Sequence, residues 1–357
     1  MKANIKNRIL SYDIIRILAI AMVVMIHSSA RFVTTSSVPS IDFAWGNFFD
    51  AISRAAVPLF IMLSGALMLN EDRAITKKKM GGYIKGVATL LCFWSCLYAF
   101  KYSVIDPLAS HDAISWGGVF RAFLLGHYHL WFLYMILGLY AITPILRLFV
   151  KRQNSKYILY FIILSVIFKF AVPSISFLLN CIGFSGSLFE DFVSKFNMGF
   201  VSIYVAYYLT GWYIVNNCIE KNKRVLMYIL GLLGVIVAIV GARVLNIDNP
   251  AGYKLFYSNG NVNIFLYSVA LFIILFYAFY DVQIESQRIR TLITKASTMS
   301  FGVYVVHVFV LNTLRDHFFV GASGCSIPLV WFLTILISYA ITWMASKIPY
   351  VNKLFKC

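Results

Sequence analysis

Apolar runs about as long as a membrane span recur along the whole chain, separated by short polar segments. A transmembrane helix needs ~20 mostly apolar residues. The pattern predicts ten such helices, over residues 11–32, 47–69, 81–104, 127–149, 157–180, 198–217, 224–245, 262–281, 299–318 and 327–347. A shorter apolar stretch at residues 116–126 predicts an interfacial or re-entrant piece before the fourth span. We therefore expect an all-α polytopic integral membrane protein with a single domain over residues 1–357.

The composition supports this interpretation of the pattern. The chain has 357 residues, of which 61% are hydrophobic and only 13% are charged, and its mean hydropathy is +0.79. A soluble domain of this length carries far more charge, so the lipid bilayer is an expected partner. The formal net charge of +17 is spread between apolar runs, and we therefore expect no nucleic-acid partner. Met1 to Ser29 resembles a signal peptide, but no small-residue cleavage pattern follows it, which favours an uncleaved first span.

Lysine and arginine residues mark one side of the predicted bundle. They recur in every second connection: Lys2, Lys6, Arg8, Arg73, Lys77, Lys78, Lys79, Lys151, Arg152, Lys156, Lys221, Lys223, Arg224, Arg288, Arg290, Lys295, Lys347, Lys353 and Lys356. The alternate connections hold little beyond Lys195 and Lys254. Because basic loops stay on the cytoplasmic side, we expect both termini in the cytoplasm. Arg16 then lies near the cytoplasmic end of the first span and His27 toward its outer end.

The predicted outer loops are longer and carry polar and aromatic residues. They cover residues 105–117, 181–197 and 246–261. Aromatic side chains at these positions could stack on sugar rings, but an interfacial aromatic belt is the better interpretation.

The six cysteines have neither metal-ligand spacing nor the pattern of a disulfide framework. They are Cys92, Cys96, Cys181, Cys218, Cys325 and Cys357. Cys181 and Cys325 fall in predicted outer loops, so the sequence leaves a bridge between them open. We predict no metal site.

Arg16 and His27 share one apolar run and are the first candidates for function. Ionisable side chains are costly in hydrocarbon, so each is a functional candidate by default. Eleven residues make about three helical turns, which puts both side chains on nearly one face, ~16 Å apart along the axis. Asp13 precedes Arg16 by three residues, so the two can pair on the helix. A structural ion pair near the helix end remains open for Arg16, and a hydrogen bond to a neighbouring helix remains open for His27.

Two segments near the second span combine small, polar and basic residues. Ser64-Gly65 interrupts an apolar run, and we favour helix packing there over a serine nucleophile, because no base or acid lies nearby. The loop Asn70 to Lys85 is either a positive-inside loop or a surface that binds phosphate groups. In the second case its lysines are the contacts: Lys77, Lys78, Lys79 and Lys85.

Further histidines lie at the fourth and ninth predicted spans. His127 and His129 are two residues apart, which on a helix disfavours joint metal ligation and suits polar groups that line an outer vestibule. Tyr304 and His307 are three apart, on one helical face, and His307 is either a relay residue or a structural histidine. We predict His129, Trp131, Tyr304 and His307 as substrate or vestibule residues.

These motifs together resemble the acyltransferase type 3 membrane family. The arginine, ten residues and histidine of the first span, with Asp13 before them, resemble the family's opening motif. Three later stretches resemble its other motifs in the expected order: Leu59 to Leu67 (LFIMLSGAL), His129 to Leu133 (HLWFL) and Ser300 to His307 (SFGVYVVH). The fourth-span stretch is most similar to the branch of the enterobacterial common antigen O-acetyltransferases.

The resemblance implies an enzyme of the bacterial cytoplasmic (inner) membrane. Family members move an acyl group, usually acetyl from cytoplasmic acetyl-CoA, onto a hydroxyl of a surface polysaccharide or lipid-linked glycan. It implies His27 as the catalytic residue, acting either as a general base or as a nucleophile, and Arg16 as a donor contact beside Asp13. Many relatives carry arginines in the loop after the second span where this chain has mainly lysines. A transporter of lipid-linked glycans is the alternative, but the paired repeats or broken spans that transporters often show are not seen in the sequence.

Overall fold

The computed structural model describes residues 9–244 and 253–355, and these residues form helices and connecting loops without a β-strand. In chain order the α-helices are α1 (Leu10–Thr35), α2 (Ile41–Ser53), α3 (Ala56–Met68), α4 (Lys77–Phe100), α5 (Asp106–Ala109), α6 (Trp116–Leu125), α7 (Trp131–Phe149), α8 (Ser155–Ser165), α9 (Val172–Cys181), α10 (Gly186–Ser194), α11 (Ile203–Asn216), α12 (Lys221–Val244), α13 (Tyr253–Tyr257), α14 (Val262–Phe279), α15 (Gln287–His317) and α16 (Ile327–Ala345). The predicted all-α fold is confirmed. Some residues singled out above lie outside the described ranges: Lys2, Lys6, Arg8, Lys356, Cys357 and residues 246–252.

Within the described residues, nine helical units are long and apolar enough to cross a membrane. They are Leu10–Thr35, Ile41–Met68, Lys77–Ala109, Trp116–Phe149, Arg152–Cys181, Lys221–Val244, Leu255–Phe279, Gln287–His317 and Gly324–Ala345. The sixth predicted span, residues 198–217, appears as α11 with only 14 residues. At 1.5 Å per residue α11 is about 21 Å long, shorter than the ~30 Å hydrocarbon core. The predicted piece at residues 116–126 is the ten-residue helix α6, with no buried residue.

The short helix α11 lies inside the bundle, and its aromatic residues Tyr207, Tyr208 and Trp212 are fully buried. It crosses α3 at a point where each helix has a glycine and therefore no side chain. A Cβ on Gly65 would lie 1.8 Å from the Tyr208 carbonyl oxygen, and a Cβ on Gly211 would lie 1.9 Å from the Met62 carbonyl oxygen. Small residues allow helix backbones to approach closely in membranes. The packing interpretation is therefore confirmed for Gly65, whereas Ser64 lines the cavity described below.

The second predicted span is two helices, α2 and α3, joined at Arg54 and Ala55. Pro58 lies four residues after Arg54 and has no N–H to donate to the Arg54 carbonyl, so the helix breaks there. Ser40 begins α2, and its hydroxyl accepts a 3.1 Å hydrogen bond from the Phe43 N–H. The break turns the chain so that α3 packs against α1 and α11.

Contacts between loops show that successive helices alternate in direction. Arg152, which follows α7, is ion-paired with Glu71 at 3.2 Å and with Asp72 in the loop after α3. Its Nε also donates to the Asn216 side chain, at the end of α11, over 3.3 Å. We call this end of the bundle the basic end, defined by residues 70–73, Arg152 and Asn216. The opposite end, where the Gly324 N–H donates to the Asp42 carboxylate over 2.6 Å, is the far end.

Helix α1 is the central element of the bundle. It packs against α2, α3, α14, α15 and α16, so residues spaced along it face the interior at every level. The site described below follows the length of α1.

Cys181 and Cys325 are both free thiols in the structure.

Candidate functional site

A cavity of about 1160 Å³ runs from the basic end into the centre of the bundle. Residues from α1, α3, α4, α7 and α15 line it, together with the loops of the basic end. Asn70, Arg73 and Arg152 lie on its wall at the basic end, and His27 and His129 lie on its wall deep in the bundle. The volume exceeds the ~300–1,000 Å³ of pockets for drug-sized ligands. The cavity therefore has room for a long ligand.

Arg16 and His27 both line this cavity, as their spacing on one helical face predicts. The Arg16 Nη1 donates to the Ser297 hydroxyl over 2.9 Å and lies 3.7 Å from the Asp13 carboxylate. Asp13 also lines the cavity, and its side chain is 5% exposed against 29% for Arg16. The cation is thus held against the wall of the cavity, and the predicted pairing with Asp13 is present.

The His27 ring is packed between two other rings and has open nitrogens. The ring centroids of His27 and His307 are 5.2 Å apart, and those of His27 and Tyr128 are 5.3 Å apart. On the described part of the chain, neither ring nitrogen of His27 has a hydrogen-bond partner, and no carboxylate orients the ring. The backbone is fixed instead, since the Arg315 Nη2 donates to the His27 carbonyl over 2.5 Å. The imidazole is therefore available to a ligand in the cavity.

His307 lies behind His27, and its tautomer follows from its hydrogen bond. The residue is fully buried, and its Nδ1 lies 2.6 Å from the Tyr304 carbonyl oxygen. A carbonyl only accepts, so Nδ1 carries the proton, and the Nε2 of a neutral His307 is an acceptor. This Nε2 is buried and has no partner among the described residues. It can accept a hydrogen bond from a neighbouring imidazole, and His27 and His129 are the two neighbours.

His129 is held at the deep end of the cavity by contacts on both sides. The Tyr304 hydroxyl donates to the His129 carbonyl over 2.6 Å, and the Nδ1 atoms of His127 and His129 are 3.0 Å apart. The His129 Nε2 is buried and has no partner on the described residues. Of the other predicted vestibule residues, Trp131 and Tyr304 line the cavity, whereas His307 does not. The structure thus brings His129, Tyr304 and His307 together near His27, whereas Trp131 packs against Tyr204 further along the cavity wall.

The predicted lysines are not on the cavity wall. Lys77, Lys78, Lys79 and Lys85 are exposed, and the cavity is lined at the same level by Arg73 and Tyr83. The Arg73 Nη2 donates to the Tyr83 hydroxyl over 3.0 Å. Arg147 in turn donates to the carbonyls of Met68, Asn70 and Arg73 at 2.6–3.0 Å. Arg73 lies within the loop Asn70 to Lys85, which the sequence marks as a candidate phosphate-binding surface. Its position depends on Arg147, and no sequence pattern relates the two residues.

Two glycines of α4 open the side of the cavity near the basic end. Gly82 and Gly86 are four residues apart, so they lie on one helical face, and both line the cavity. A Cβ built on either glycine meets no atom within 4 Å. At Gly65 the missing side chain makes room for another helix, whereas here it leaves open space. This space is available to a ligand.

The groups that line the cavity follow a fixed order from the basic end inward. Guanidinium groups at and below the basic end can bind phosphate oxygens, and an imidazole with free nitrogens lies ~16 Å further along the same helix. A ligand with an anionic head and a long neutral arm fits this order of groups. Its far end would meet a residue that can act as a base or a nucleophile.

Comparisons with known proteins agree with the motifs. A family model described as an acyltransferase domain matches residues 9–346. No curated protein matches the chain. No solved structure matches it either.

Proposed function

The chain belongs to the acyltransferase family whose model spans residues 9–346, and on this basis we propose that it transfers an acetyl group from cytoplasmic acetyl-CoA to a hydroxyl of a cell-surface glycan. Membership makes it a membrane acyltransferase. The observation that supports the finer proposal is the cavity that carries Arg16 and His27 on one wall. The donor, the acceptor and the orientation in the bacterial inner membrane are parts of the proposal.

The basic end is the entrance for the donor in this proposal. The phosphate groups of the coenzyme bind Arg73 at the mouth and Arg16 below it, since guanidinium groups pair with phosphate oxygens in a bidentate manner. The pantetheine arm then lies along α1 beside Gly82 and Gly86, and the thioester reaches His27. The exposed lysines Lys77, Lys78, Lys79 and Lys85 attract the anionic donor to this end, whereas the sequence predicts them as direct contacts of its phosphate groups.

The basic end faces the cytoplasm in this proposal. The charge pattern supports that orientation, because basic loops are retained on the cytoplasmic side. Acetyl-CoA is then available at the mouth of the cavity. The acceptor, a surface polysaccharide or lipid-linked glycan, approaches His27 from the far end.

We assign His27 the role of general base. Its free ring nitrogen takes the proton from the acceptor hydroxyl as the hydroxyl oxygen attacks the thioester carbonyl. The new C–O bond forms, the C–S bond breaks, and the proton passes from His27 to the thiolate of the leaving coenzyme. The reaction therefore needs neither a metal nor a net source of protons. His129 Nε2, buried at the end of the cavity, is available to hydrogen-bond the substrate there.

His307 is a positioning residue in this mechanism. Its Nε2 can accept a hydrogen bond, and His27, whose ring centroid is 5.2 Å from that of His307, is a neighbouring donor. Such a bond fixes which His27 nitrogen is free to act as a base and stabilises the imidazolium that forms during transfer. A carboxylate does this in many hydrolases; here a second imidazole stands in that position.

Membranes that contain the protein test the proposal directly. Given radiolabelled acetyl-CoA and the cell's own surface glycans, the wild type should label the glycan fraction, and His27→Ala at equal abundance should not. Label in the glycan with His27→Ala would contradict the role of His27. Glycan that moves across the membrane without gaining label would favour the alternative, a transporter of lipid-linked glycans.

A further inference from the structure

Two arginines meet at the far end, on the other side of His27 from the cavity. Arg31 of α1 and Arg315 of α15 line a small pocket together with Ser28 and the ring of Phe32. The pocket has a volume of about 10 Å³, which is close to the ~10–15 Å³ that one water-sized atom needs. We call it the far-end pocket. It has room for about one oxygen atom of a ligand.

Arg315 has hydrogen-bonding capacity left over. One of its nitrogens, Nη2, donates to the carbonyls of His27 and Ser28, at 2.5 and 3.0 Å. Nη1 and Nε have no partner on the described part of the chain, and no carboxylate there is ion-paired with Arg315. A half-buried guanidinium within a membrane domain is costly without a counter-ion. Each of these two nitrogens can donate a charge-assisted hydrogen bond to an oxygen of a carboxylate or phosphate.

Ser28 provides a second, independent observation. Its side chain lines the far-end pocket and is buried, with 1% of the residue exposed. Its hydroxyl has no hydrogen-bond partner among the described residues. Buried polar groups are almost always paired in native proteins, so an unpaired one indicates a missing partner. A hydroxyl and two guanidinium groups around one small space are all donors, which suits an anion.

We propose that Ser28, Arg31 and Arg315 bind one anionic group, a carboxylate or a phosphate, carried by the acceptor. The two cations repel each other across the pocket, and an anion between them removes that repulsion. Arg31 is exposed, so the pocket opens at the surface. The acyl acceptor is therefore an acidic or phosphate-bearing glycan rather than a neutral one. The part of this proposal that concerns the acceptor depends on the proposed transferase function.

The position of the far-end pocket links the anion to the reaction. Arg315 holds the carbonyl of His27 itself, and Ser28 is the next residue on α1. Tyr128 covers His27 with its ring and is 55% exposed, so a bound acceptor lies beside an aromatic surface that suits a sugar ring. Fixing the acidic group of the acceptor beside His27 limits which of its hydroxyls reach the imidazole. The site would thus contribute to the choice of hydroxyl.

A binding measurement tests the pocket independently of catalysis. The purified full chain in a neutral detergent is unfolded thermally with inorganic phosphate, with glucuronate and with uncharged glucose. We expect phosphate or glucuronate, but not glucose, to raise the unfolding temperature. Arg31→Gln should weaken the apparent affinity for the stabilising anion by about tenfold, the effect of losing one charge-assisted hydrogen bond. Arg121→Gln is the matched control, since Arg121 is also exposed but does not line the pocket. An equal response from Arg31→Gln, or no response to either anion, would overturn the proposal.

A lipid headgroup carries the same phosphate chemistry, and a second arm separates the two sources. In nanodiscs of phosphatidylglycerol or of phosphatidylcholine, the anion should bind equally well if the site serves the acceptor. Loss of binding in phosphatidylglycerol alone would assign the pocket to a lipid and overturn the acceptor assignment.

A transfer assay completes the test. With acidic acceptors, Arg31→Gln and Ser28→Ala should raise the KM for the acceptor and leave the KM for acetyl-CoA unchanged; an unchanged acceptor KM would contradict the proposal. A wild type that binds anions at Arg31 but transfers no acetyl group would refute the transferase function and leave the anion site standing.

Discussion

His27 and His307, which are 280 residues apart in the chain, lie with their rings 5.2 Å apart in the centre of the bundle. The Nδ1 of His307 is committed to the Tyr304 carbonyl, so its Nε2 can only accept. Two imidazoles of different function thus form one unit, in which one ring is open to the cavity and the other is anchored.

Replacing His307 should slow the chemical step. His307→Phe keeps a flat ring but removes the acceptor for His27, so kcat should fall roughly 100-fold, the lower end of what a general base contributes. The KM values for both substrates should stay within about twofold, because His307 does not line the cavity. Initial rates over a range of both substrates measure this. A rise in KM with unchanged kcat would show that His307 shapes the binding site instead.

Removing the cation at position 16 should weaken donor binding. Arg16→Ala should raise the KM for acetyl-CoA by about tenfold or more, the size expected for one charge-assisted contact, and should leave the acceptor KM unchanged. Acetyl-dephospho-CoA sharpens the test: as a donor it should lose less in Arg16→Ala if the guanidinium binds the phosphate that this analogue lacks. A turnover defect with an unchanged donor KM would rule out the phosphate contact.

The open glycine face of α4 offers a steric test. Gly86→Leu places a side chain where a Cβ meets no atom within 4 Å, so the fold should tolerate it while the arm of the donor loses space. We expect the donor KM to rise, with abundance and unfolding temperature unchanged. Gly81→Leu is the matched control, because Gly81 is equally open but does not line the cavity. Equal activity of the two variants would show that the ligand does not pass this face.

The role of His27 as base can be separated from a role as nucleophile. The wild type is mixed with radiolabelled acetyl-CoA without acceptor, quenched rapidly and denatured under conditions that preserve acyl-imidazole. A general base should leave the protein unlabelled. Stoichiometric label that is absent from His27→Ala would instead establish a covalent intermediate.

The contact between α3 and α11 should be sensitive to a single methyl group. Gly65→Ala would place its Cβ 1.8 Å from the Tyr208 carbonyl oxygen, and such overpacking costs ~1–3 kcal/mol. The unfolding temperature of the purified protein should fall accordingly. Gly138→Ala serves as the control, because a Cβ at Gly138 meets no atom within 4 Å. Equal stability of the two variants would contradict the close crossing.

The sequence alone predicts those features that depend on local periodicity. Apolar runs place nearly every membrane helix, and the eleven-residue spacing places Arg16 and His27 on one wall, because both depend only on the 3.6-residue period of a helix. The length of α11 was not predictable. Its apolar run begins at residue 198, five residues before the helix, so the run overestimates the length of the helix.

Features that depend on distant contacts were not predictable. Arg73 reaches the cavity because Arg147, 74 residues away, holds the carbonyls of its loop, whereas the more conspicuous lysines of the same loop face solvent. His27 contacts His307, and Arg31 lies beside Arg315 at the far-end pocket. Both contacts are between α1, near the start of the sequence, and α15, near its end. The sequence identifies His27 and His307 as candidates but not their contact, and it does not single out Arg31 or Arg315.

The cavity ends at His27, and the far-end pocket begins at Ser28, the next residue along α1. Only a few side chains therefore separate the cavity from the far-end pocket at this level. In the proposed reaction an acyl group passes that layer by transfer from sulfur to oxygen, while the coenzyme and the glycan each stay on their own side. If the chain works as proposed, it has no need to alternate between inward-open and outward-open states.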